Sequence, residues 1–271
     1  MTWYLTPDIT RFPESAETWL LHDTVRNTVV LTVLNGVRAG LWVEDPLLAW
    51  YERGGDVHGL ACHTPPHNLL LPDLSLELVG SLAAELIDMN RKLPGVSGPL
   101  PAAEAFAAHW WRPERRRRAE RLYRLGTLTG PTAPPVGRAR TATADDLPTL
   151  VSWITDFERE AGIATPVDPT PAISRRLTRA ELVWWETGDG RPAALAAAST
   201  PIAGMSRVGP VYTPPELRGH GYGSAVTDAV TRHALSRGAR EVLLFTDLAN
   251  PTSNRLYQRL GYEADLDYAS I

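Results

Sequence analysis

Three glycines alternate with other residues just before a predicted helix, in the stretch GPVYTPPELRGHGYGSAVTDAV at residues 209–230. They are Gly219, Gly221 and Gly223. Glycine inside a helix or strand costs about 0.5–1 kcal/mol relative to alanine, so three of them need a physical reason. A strand, a glycine turn and a helix start together predict an anion site, because the freed N–H groups and the positive end of the helix dipole face the same place.

The spacing narrows the kind of anion. The run is not the dinucleotide fingerprint, which has a further residue before its third glycine, and no Gly-Lys-Ser/Thr sequence forms a triphosphate loop. Arg218 stands at the start of the run and offers a fork of donors suited to phosphate. The sequence therefore predicts a phosphate site of another type.

Composition sets wider limits. The 271 residues suffice for two modest domains, and 44% hydrophobic with 21% charged residues is ordinary for a globular protein. A net charge of -4 provides no general attraction for nucleic acid or membrane surfaces, so neither is predicted as a partner. The single cysteine, Cys62, excludes an internal disulfide and a cysteine-based zinc site, and it is interpreted as a small buried side chain.

The N-terminal stretch MTWYLTPDITRFPES lacks the pattern of a signal peptide, and no apolar run reaches the roughly 18 residues of a membrane helix. These features predict a cytoplasmic protein without a membrane partner, present as a monomer or a homodimer.

The clearest seam in the chain is GTLTGPTAPPVGRA at residues 126–139, where clustered Gly, Pro and Thr favour an extended linker. We divide the chain near Pro134, which predicts domains at residues 1–133 and 134–271. Periodicity and capping residues in the second half predict strands and helices in alternation. The strands are expected in GRARTA, ELVWWE, PAALAAASTPI, SRVGPVYT, EVLLFTD and YEADLDYAS, and the helices in TADDLPTLVSWITDFERE, AISRRLT, the segment after Ser224, and NPTSNRLYQRLG.

The first half shows a fainter version of the same order. A long helix is predicted over residues 15–33, with strands near LWVED, VHGLACHT, NLLLPDL, GVSGP and ERLYRLGTL and helices in SLELVGSLAAELIDMNR and AAEAFAAHWW. The recurring order of elements indicates a diverged duplication with a mixed α/β fold.

The glycine segment also carries a family resemblance. RGHGYG resembles the Arg/Gln-x-x-Gly-x-Gly/Ala signature of the GCN5-related N-acetyltransferases (GNAT), with Arg218, Gly221 and Gly223 at the defining positions. LFTDLANPTSNRLYQRLGYEA is similar to the following strand, capped helix and strand of that family, and RTATADDLPTLVSWI to its opening strand and helix. The resemblance covers nearly all of residues 137–271 and implies an α/β (α+β) fold with a mostly antiparallel sheet and flanking helices, in two GNAT-like halves.

The same resemblance implies a site for acetyl-CoA as co-substrate. The strand before the loop would splay from its neighbour and admit the pantetheine arm, and the loop amides would hold the pyrophosphate. The residues implied in cofactor binding are Val211, Tyr212, Thr213, Arg218, Gly219, His220, Gly221, Tyr222, Gly223, Ser224, Asn250 and Tyr257.

Two of these residues have a second interpretation. Tyr257 stands where the family places the acid that protonates the leaving thiolate, but its spacing from Ser253, Leu256 and Leu260 also predicts packing on a helix face. Asn250 is predicted as the N-cap before Pro251, and the resemblance adds a contact with the pantetheine arm.

The base that deprotonates the amine is less well marked, because SRVGPVYT contains no carboxylate. Glu186 is the first candidate, followed by Asp156, Glu158 and Glu160, with an ordered water relay as the alternative. For each carboxylate the competing interpretation is a surface charge.

Three further features point elsewhere. RPERRRRAERLYR suggests nucleic acid, but Glu114 and Glu120 interleave its arginines, which favours a solvated face. The histidines at 58, 63 and 67 lack carboxylate or cysteine partners at ligand spacing, so no metal site is predicted. Trp153, Trp184 and Trp185 suit either an acceptor pocket or the core, and the core is favoured.

These observations predict a direct transfer of acetyl to a primary amine of a small molecule, catalysed by the second half alone. The first half has only Gly80 in its corresponding helix and is expected to lack an acetyl-CoA site. The alternatives are a peptide or protein amine as acceptor, a non-catalytic acyl-CoA-binding module, and a scaffold for a partner.

Overall fold

A computed structural model of the chain describes residues 2–42, 44–110, 117–163 and 168–271, which pack as two units. The first unit comprises Met1–Leu122, Thr246–Ala249 and Asp265–Ile271, and the second comprises Tyr123–Phe245 and Asn250–Ala264. The two units meet at Leu122 and Tyr123, before the Gly- and Pro-rich segment at which we divided the sequence near Pro134, and residues 265–271 belong to the first unit. No helix of the described residues is long and apolar enough to cross a membrane.

The first unit contains a sheet with the strand order β1-β2-β3-β4-β5-β12, where β12 is the last strand of the chain (Tyr262–Ser270); the pairs are antiparallel except between β4 and β5. Its elements are β1 (Thr2–Thr6), α1 (Glu14–Leu21), α2 (Thr28–Arg38), β2 (Leu47–Arg53), β3 (Asp56–His63), β4 (Leu69–Leu70), α3 (Leu76–Asp88), β5 (Val96–Pro99) and α4 (Leu100–Trp110). Helices α3 and α4 cover one face of this sheet and bury residues such as Leu82, Leu86 and Phe106. A strand that follows, β6 (Arg118–Leu125), leads into the second unit.

The second unit has the strand order β11-β10-β9-β8-β7, antiparallel except between β10 and β11. Its elements are β7 (Arg138–Thr141), α5 (Leu147–Glu160), α6 (Thr170–Thr178), β8 (Leu182–Glu186), β9 (Pro192–Ala198), β10 (Met205–Tyr212), α7 (Tyr222–Ser236), β11 (Glu241–Asp247), α8 (Pro251–Arg259) and β12 (Tyr262–Ser270), whose end belongs to the first unit. The two units together confirm the mixed α/β class with mostly antiparallel sheets.

The tryptophans of β8 separate the two faces of the second sheet. Trp184 is fully buried against α5 and α6, where it meets Trp153 edge-on with 5.0 Å between ring centroids. Trp185 points the other way and packs against the core beneath α7 and α8. Adjacent residues of a strand face opposite sides, so the predicted core role of both rings is confirmed.

The sequence interpretation fails in parts of the first unit. The helix predicted over residues 15–33 is two helices, because Asn27 donates its side-chain amide to the Leu20 carbonyl (2.9 Å) and Asp23 accepts the backbone N–H of Arg26 (3.0 Å) in the intervening turn. The strand predicted near LWVED is also wrong in its described residues, and the strand begins at Leu47 instead. Val43 and Trp111 of the predicted elements lie outside the described residues.

A glycine pair provides a test of packing in the second unit. Gly261 (φ +93°) and Gly238 (φ +88°) have the same left-handed backbone, but a Cβ at Gly261 would collide with the Thr127 carbonyl oxygen, whereas a Cβ at Gly238 would meet nothing within 4 Å. Gly238→Ala should cost about 1–2 kcal/mol for the conformation alone. Gly261→Ala should cost roughly 2 kcal/mol more in urea unfolding, since it adds overpacking. Equal losses would contradict this assignment.

Candidate functional site

Strand β10 separates from β11 before either strand ends. The parallel pairing covers four residue pairs and stops at Val208↔Leu244, while β10 continues to Tyr212. On its other edge β10 stays paired with β9, with an irregular register between Val208 and Val211. Beyond Val208, one edge of β10 therefore has no partner strand among the described residues, and an extended ligand could pair with that edge near Val211 and Tyr212.

The turn after β10 depends on two glycines with left-handed backbones. Gly219 and Gly221 both have φ +82°, a conformation that an L side chain adopts at a cost of about 1–2 kcal/mol. Gly221 is the N-cap of α7. A Cβ atom added to Gly221 would lie 3.6 Å from the Cδ atom of Pro135. Gly223 has an ordinary φ, and a Cβ on it would make only ordinary contacts, 3.5 Å from Leu256 and 3.6 Å from Thr213.

This turn leaves six consecutive backbone donors free. None of the N–H groups of residues 219–224 donates a hydrogen bond to a described residue, and the first bond of the helix is Ala225 N–H to Gly221 O (3.1 Å). The segment is exposed up to Gly221 and half-buried from Tyr222 to Ser224. A helix N-terminus with accessible, unpaired N–H groups and no side-chain cap attracts anions, because the donors and the helix dipole both favour negative charge.

Arg218 is placed differently from the sequence interpretation. Its backbone N–H closes the preceding turn on Pro215 O (3.3 Å), and its guanidinium donates to Thr213 O (2.8 Å) and to Glu160 Oε2 (2.6 Å). The ring of Tyr212 lies 5.9 Å from the guanidinium carbon. Arg218 thus braces the loop against α5, and its amide is not part of the free set.

The remaining loop side chains lie around this set of amides. His220 is exposed and stacks on the ring of Tyr222, with 5.9 Å between centroids. The hydroxyl of Tyr212 donates to Glu160 Oε1 (3.3 Å), and burial, followed by the charge of Glu160, raises the pKa of Tyr212. The side chains of the loop therefore stabilise its shape, and the donors it presents are backbone groups.

Helix α8 lies beside the loop and carries the predicted acid. Its residue Leu256 lies next to Gly223, and the adjacent Tyr257 has a buried ring that meets Tyr262 edge-on at 6.1 Å. Burial alone raises the pKa of Tyr257 to about 12, so the phenol keeps its proton at neutral pH. Asn250 caps this helix by accepting the N–H of Ser253 (3.0 Å), which confirms the predicted N-cap.

Glu186 is buried at the end of β8 between two arginines. Its carboxylate accepts from Arg140 Nε (2.6 Å) and Arg138 Nε (3.2 Å), and the bond to Arg140 is the largest of the causes that lower the pKa of Glu186. A carboxylate held by two guanidinium groups is a weak proton acceptor. Glu186 is therefore a structural ion-pair partner, and we do not include it in the site proposed below.

The three carboxylates of α5 differ in their partners. Asp156 pairs with Arg159 (2.6 Å), and Glu160 pairs with Arg218. Glu158 has an enclosed oxygen, Oε2, without a hydrogen-bond partner. Glu158 is thus the member of this set whose carboxylate is not engaged by an arginine of the described chain.

The corresponding region of the first unit is closed. Ser75 caps α3 with its own side chain (3.4 Å to Leu78 N), and β4 and β5 stay in contact beyond their pairing through Leu71 N and Ser97 O (2.9 Å). A Cβ on Gly98 would lie 2.7 Å from Leu71 O, which leaves no crevice there. These contacts favour the expectation that the first half lacks an acetyl-CoA site.

The arginines at the described end of the basic run are already paired. Arg117 contacts Glu104, Arg118 lies 3.1 Å from Glu120, and Arg121 forms two bonds with Asp267 (2.6 and 2.9 Å). Arg124 likewise forms two bonds with Glu241 (2.6 and 2.7 Å). Residues 111–116, which hold Glu114, lie outside the described residues.

Comparison with known proteins agrees with this geometry. Residues 147–262 match the model of the Acetyltransferase (GNAT) family. These residues contain the splayed strand, the loop and α8, and they make up less than half of the chain. The resemblance seen in the sequence is thereby confirmed.

Individual relatives extend the comparison to the whole chain. An acetyltransferase of the GNAT family from Colwellia psychrerythraea covers 100% of this chain and 98% of its own (TM-score 0.68, 13% identity). A tandem GNAT protein from the clavulanic acid biosynthesis pathway covers 99% and 98% (TM-score 0.59, 13% identity). At these identities the likeness shows the fold, and it is consistent with two GNAT-like halves.

A curated sequence relative matches over a shorter stretch. A mycothiol acetyltransferase from Thermobispora bispora is 45% identical over 58 residues. The match spans 20% of this chain and 20% of that protein.

The ion pairs around Glu186 predict a pH-dependent stability. Arg140 also binds both oxygens of Asp146 (2.7 and 2.9 Å), and this bond is the main cause that lowers the pKa of Asp146 to about 2. A depressed carboxyl pKa stabilises the folded state above the unfolded pKa of about 3.9, and the stabilisation disappears as the pH falls towards 2. Asp146→Asn should therefore lower the free energy of unfolding by about 2 kcal/mol at pH 7, with a difference that narrows below pH 4.

Urea titrations between pH 7 and pH 3 measure this difference. The neighbouring exposed carboxylate provides the control, because Asp145→Asn removes the same charge without breaking an arginine bond. A loss for Asp146→Asn that stays constant down to pH 3 would contradict the assignment.

Proposed function

We propose that this chain transfers an acetyl group from acetyl-CoA to a primary amine of a small-molecule acceptor, and that the second unit carries the reaction. The observation that carries the proposal is the set of six unpartnered amides at residues 219–224, next to a strand whose edge is open beyond Val208. The family match supports the cofactor, because the matched residues include both features. The mycothiol acetyltransferase similarity covers a fifth of each chain and supports acetyl transfer rather than a particular acceptor.

The described residues fit a long ligand with a diphosphate at one end. The six amides offer several donors to a diphosphate without the desolvation cost of a buried cationic side chain, and the α7 dipole adds about half a positive charge. Gly219 and Gly221 both have the left-handed backbone (φ +82°) that gives the turn its shape. The open edge at Val211 and Tyr212 would pair with the amide groups of a pantetheine arm, as an added strand does.

Acetyl-CoA, when bound, supplies an acetyl group activated as a thioester. The chain then has to protonate the departing sulfur, and a phenol keeps a proton throughout the physiological range. Burial raises the pKa of Tyr257 to about 12, which keeps the group protonated but makes it a weaker acid than an exposed phenol. We assign this role to Tyr257, which follows in sequence the α8 residue that lies next to Gly223. A primary amine becomes a nucleophile only after it loses a proton, since its pKa in water is about 10.4. We assign that proton to an ordered water or to Glu158, the α5 carboxylate that is not paired with an arginine of the described chain.

The loop assignment predicts different effects of two glycine substitutions. Gly221→Ala forces a side chain into a left-handed conformation and displaces the amides, so the Kd for CoA should rise at least about tenfold, as expected from a strain of 1–2 kcal/mol. Gly223→Ala meets only ordinary contacts, and its Kd should stay within about threefold of the wild-type value.

Isothermal titration calorimetry with CoA and with acetylated pantetheine, which lacks the diphosphate, distinguishes the two parts of the site. The loss for Gly221→Ala should be large for CoA and small for the shorter compound. An equal loss for both ligands, or wild-type affinity for CoA, would remove the loop from the diphosphate site.

The acid assignment predicts a loss of turnover without a loss of binding. Tyr257→Phe should reduce kcat by about 100-fold in a thiol-release assay with a panel of primary amines, since a general acid contributes about that much or more. The Kd for CoA should change less than about twofold, because the ring and its packing remain. The matched control is Tyr262→Phe, which removes a buried hydroxyl bonded to Thr231 (2.6 Å) and should lower stability by about 1 kcal/mol without lowering kcat.

The outcomes of this assay separate the alternatives. A wild-type protein that binds CoA and turns over none of the amines would be an acyl-CoA-binding module or would act on a peptide amine, which a panel of peptides then tests. A Tyr257→Phe variant with wild-type kcat would show that the tyrosine only packs.

A further inference from the structure

Arg176 of helix α6 reaches the point where β10 becomes irregular. Its Nη2 donates to the carbonyl oxygen of Gly209 (2.8 Å), and its Nε faces Glu181 Oε2 (3.3 Å). We propose that Arg176 is a positioning residue for acyl transfer, which fixes the bulge of β10 at Gly209 and with it the acyl end of the cofactor crevice. This inference rests on the function proposed above.

The bulge at Gly209 is not fixed by the neighbouring strands. The pairing with β11 ends at Val208, and the pairing with β9 includes Val208 and then resumes at Val211. Gly209 has φ +151°, a backbone conformation rare for L side chains, and a Cβ there would meet nothing within 4 Å. Because neither register includes Gly209, the guanidinium of Arg176 is the side-chain group that holds its carbonyl.

A network of hydrogen bonds keeps the guanidinium in place. Glu181 is 5% exposed, and its other oxygen accepts the backbone N–H (2.9 Å) and the hydroxyl (2.8 Å) of Thr200. The planar guanidinium can therefore bond Glu181 with one edge and Gly209 with another. Burial lowers the pKa of Arg176, so the protein holds a charge at this point against a desolvation cost.

Such an ion pair is weak evidence of a stabilising role, since apolar residues of similar volume stabilise a core as well or better. Its geometry instead specifies the orientation of one carbonyl in β10. The strand rises about 3.3 Å per residue, so Gly209 lies roughly 13 Å from Thr213 and the loop that follows. A ligand held by its diphosphate at the loop would extend along β10 towards Gly209. A change at Gly209 should therefore disturb transfer more than binding.

The test uses variants that avoid an unpaired buried charge. Arg176→Met combined with Glu181→Met removes both partners, and Arg175→Met is the control, because Arg175 is the exposed neighbour on the same helix. For the double variant we expect a Kd for CoA within twofold of the wild-type value and a kcat at least tenfold lower. In the protein without ligand, amide hydrogen exchange at Gly209, Val211 and Tyr212 should become at least fivefold faster, with α7 unchanged, and Arg175→Met should behave as the wild type.

A second variant keeps the test valid if the double variant fails to fold. Arg176→Lys retains the positive charge near Glu181 but loses the planar fork, so its thermal midpoint should stay near the wild-type value while kcat and exchange in β10 change in the same direction as above. A kcat and an exchange rate within twofold of the control in the folded variants would overturn the inference. A wild-type protein that fails to bind CoA would overturn the proposed function itself, and the hydrogen-exchange result would then stand as a separate measure of the contact between Arg176 and Gly209.

Discussion

The central constraint in the second unit is the short parallel pairing of β10 with β11, which covers only four residue pairs. β10 and β11 exchange hydrogen bonds as far as Val208 and Leu244, and past that point β10 keeps one neighbour. Backbone groups without partners are costly when buried, so such an edge is stable only where water or a ligand reaches it. The loop at residues 219–224, which leads into α7, likewise has backbone groups without partners: its six N–H groups donate to no described residue.

The electrostatic character of this site comes from the backbone. Arg218, the cation nearest in sequence, is paired with Glu160 and with the Thr213 carbonyl. The amides of the loop are fixed by two left-handed glycines and need no counter-charge, so their orientation costs little when a ligand binds. The proposed anion site therefore does not require a positive net charge, and the chain has a net charge of -4.

Much of the second unit could be predicted from the sequence, for reasons that are visible in particular elements. EVLLFTD contains the apolar run VLLF and forms β11 with the predicted bounds. Asn250 caps α8, as its position before a proline indicates. The glycine run predicted the loop because glycine is the residue that a left-handed turn demands. The first unit was harder, because the turn between α1 and α2 is set by side-chain bonds of Asp23 and Asn27 that no periodicity marks.

The sequence suggested residues for the site but could not show the contacts that those residues make. The role of Arg218 depends on Glu160, which is 58 residues away in the chain, and that of Glu186 depends on Arg138 and Arg140 on a neighbouring strand. A sequence shows which groups can be charged, but not which charges meet. Arg176 was missed for the same reason, since an arginine in the pattern AISRRLT gives no sign that it reaches a strand carbonyl 33 positions later.

The last strand has a consequence for biosynthesis. Tyr268, Ala269 and Ser270 pair with β5, and Ile271 exchanges two hydrogen bonds with Val96 (both 2.9 Å), so the final residues complete the sheet of the first unit. A nascent chain emerges from the ribosome with its N-terminal residues first. The edge of β5 in the sheet that begins with Thr2 therefore stays open until residues 268–271 have been synthesised and have left the exit tunnel.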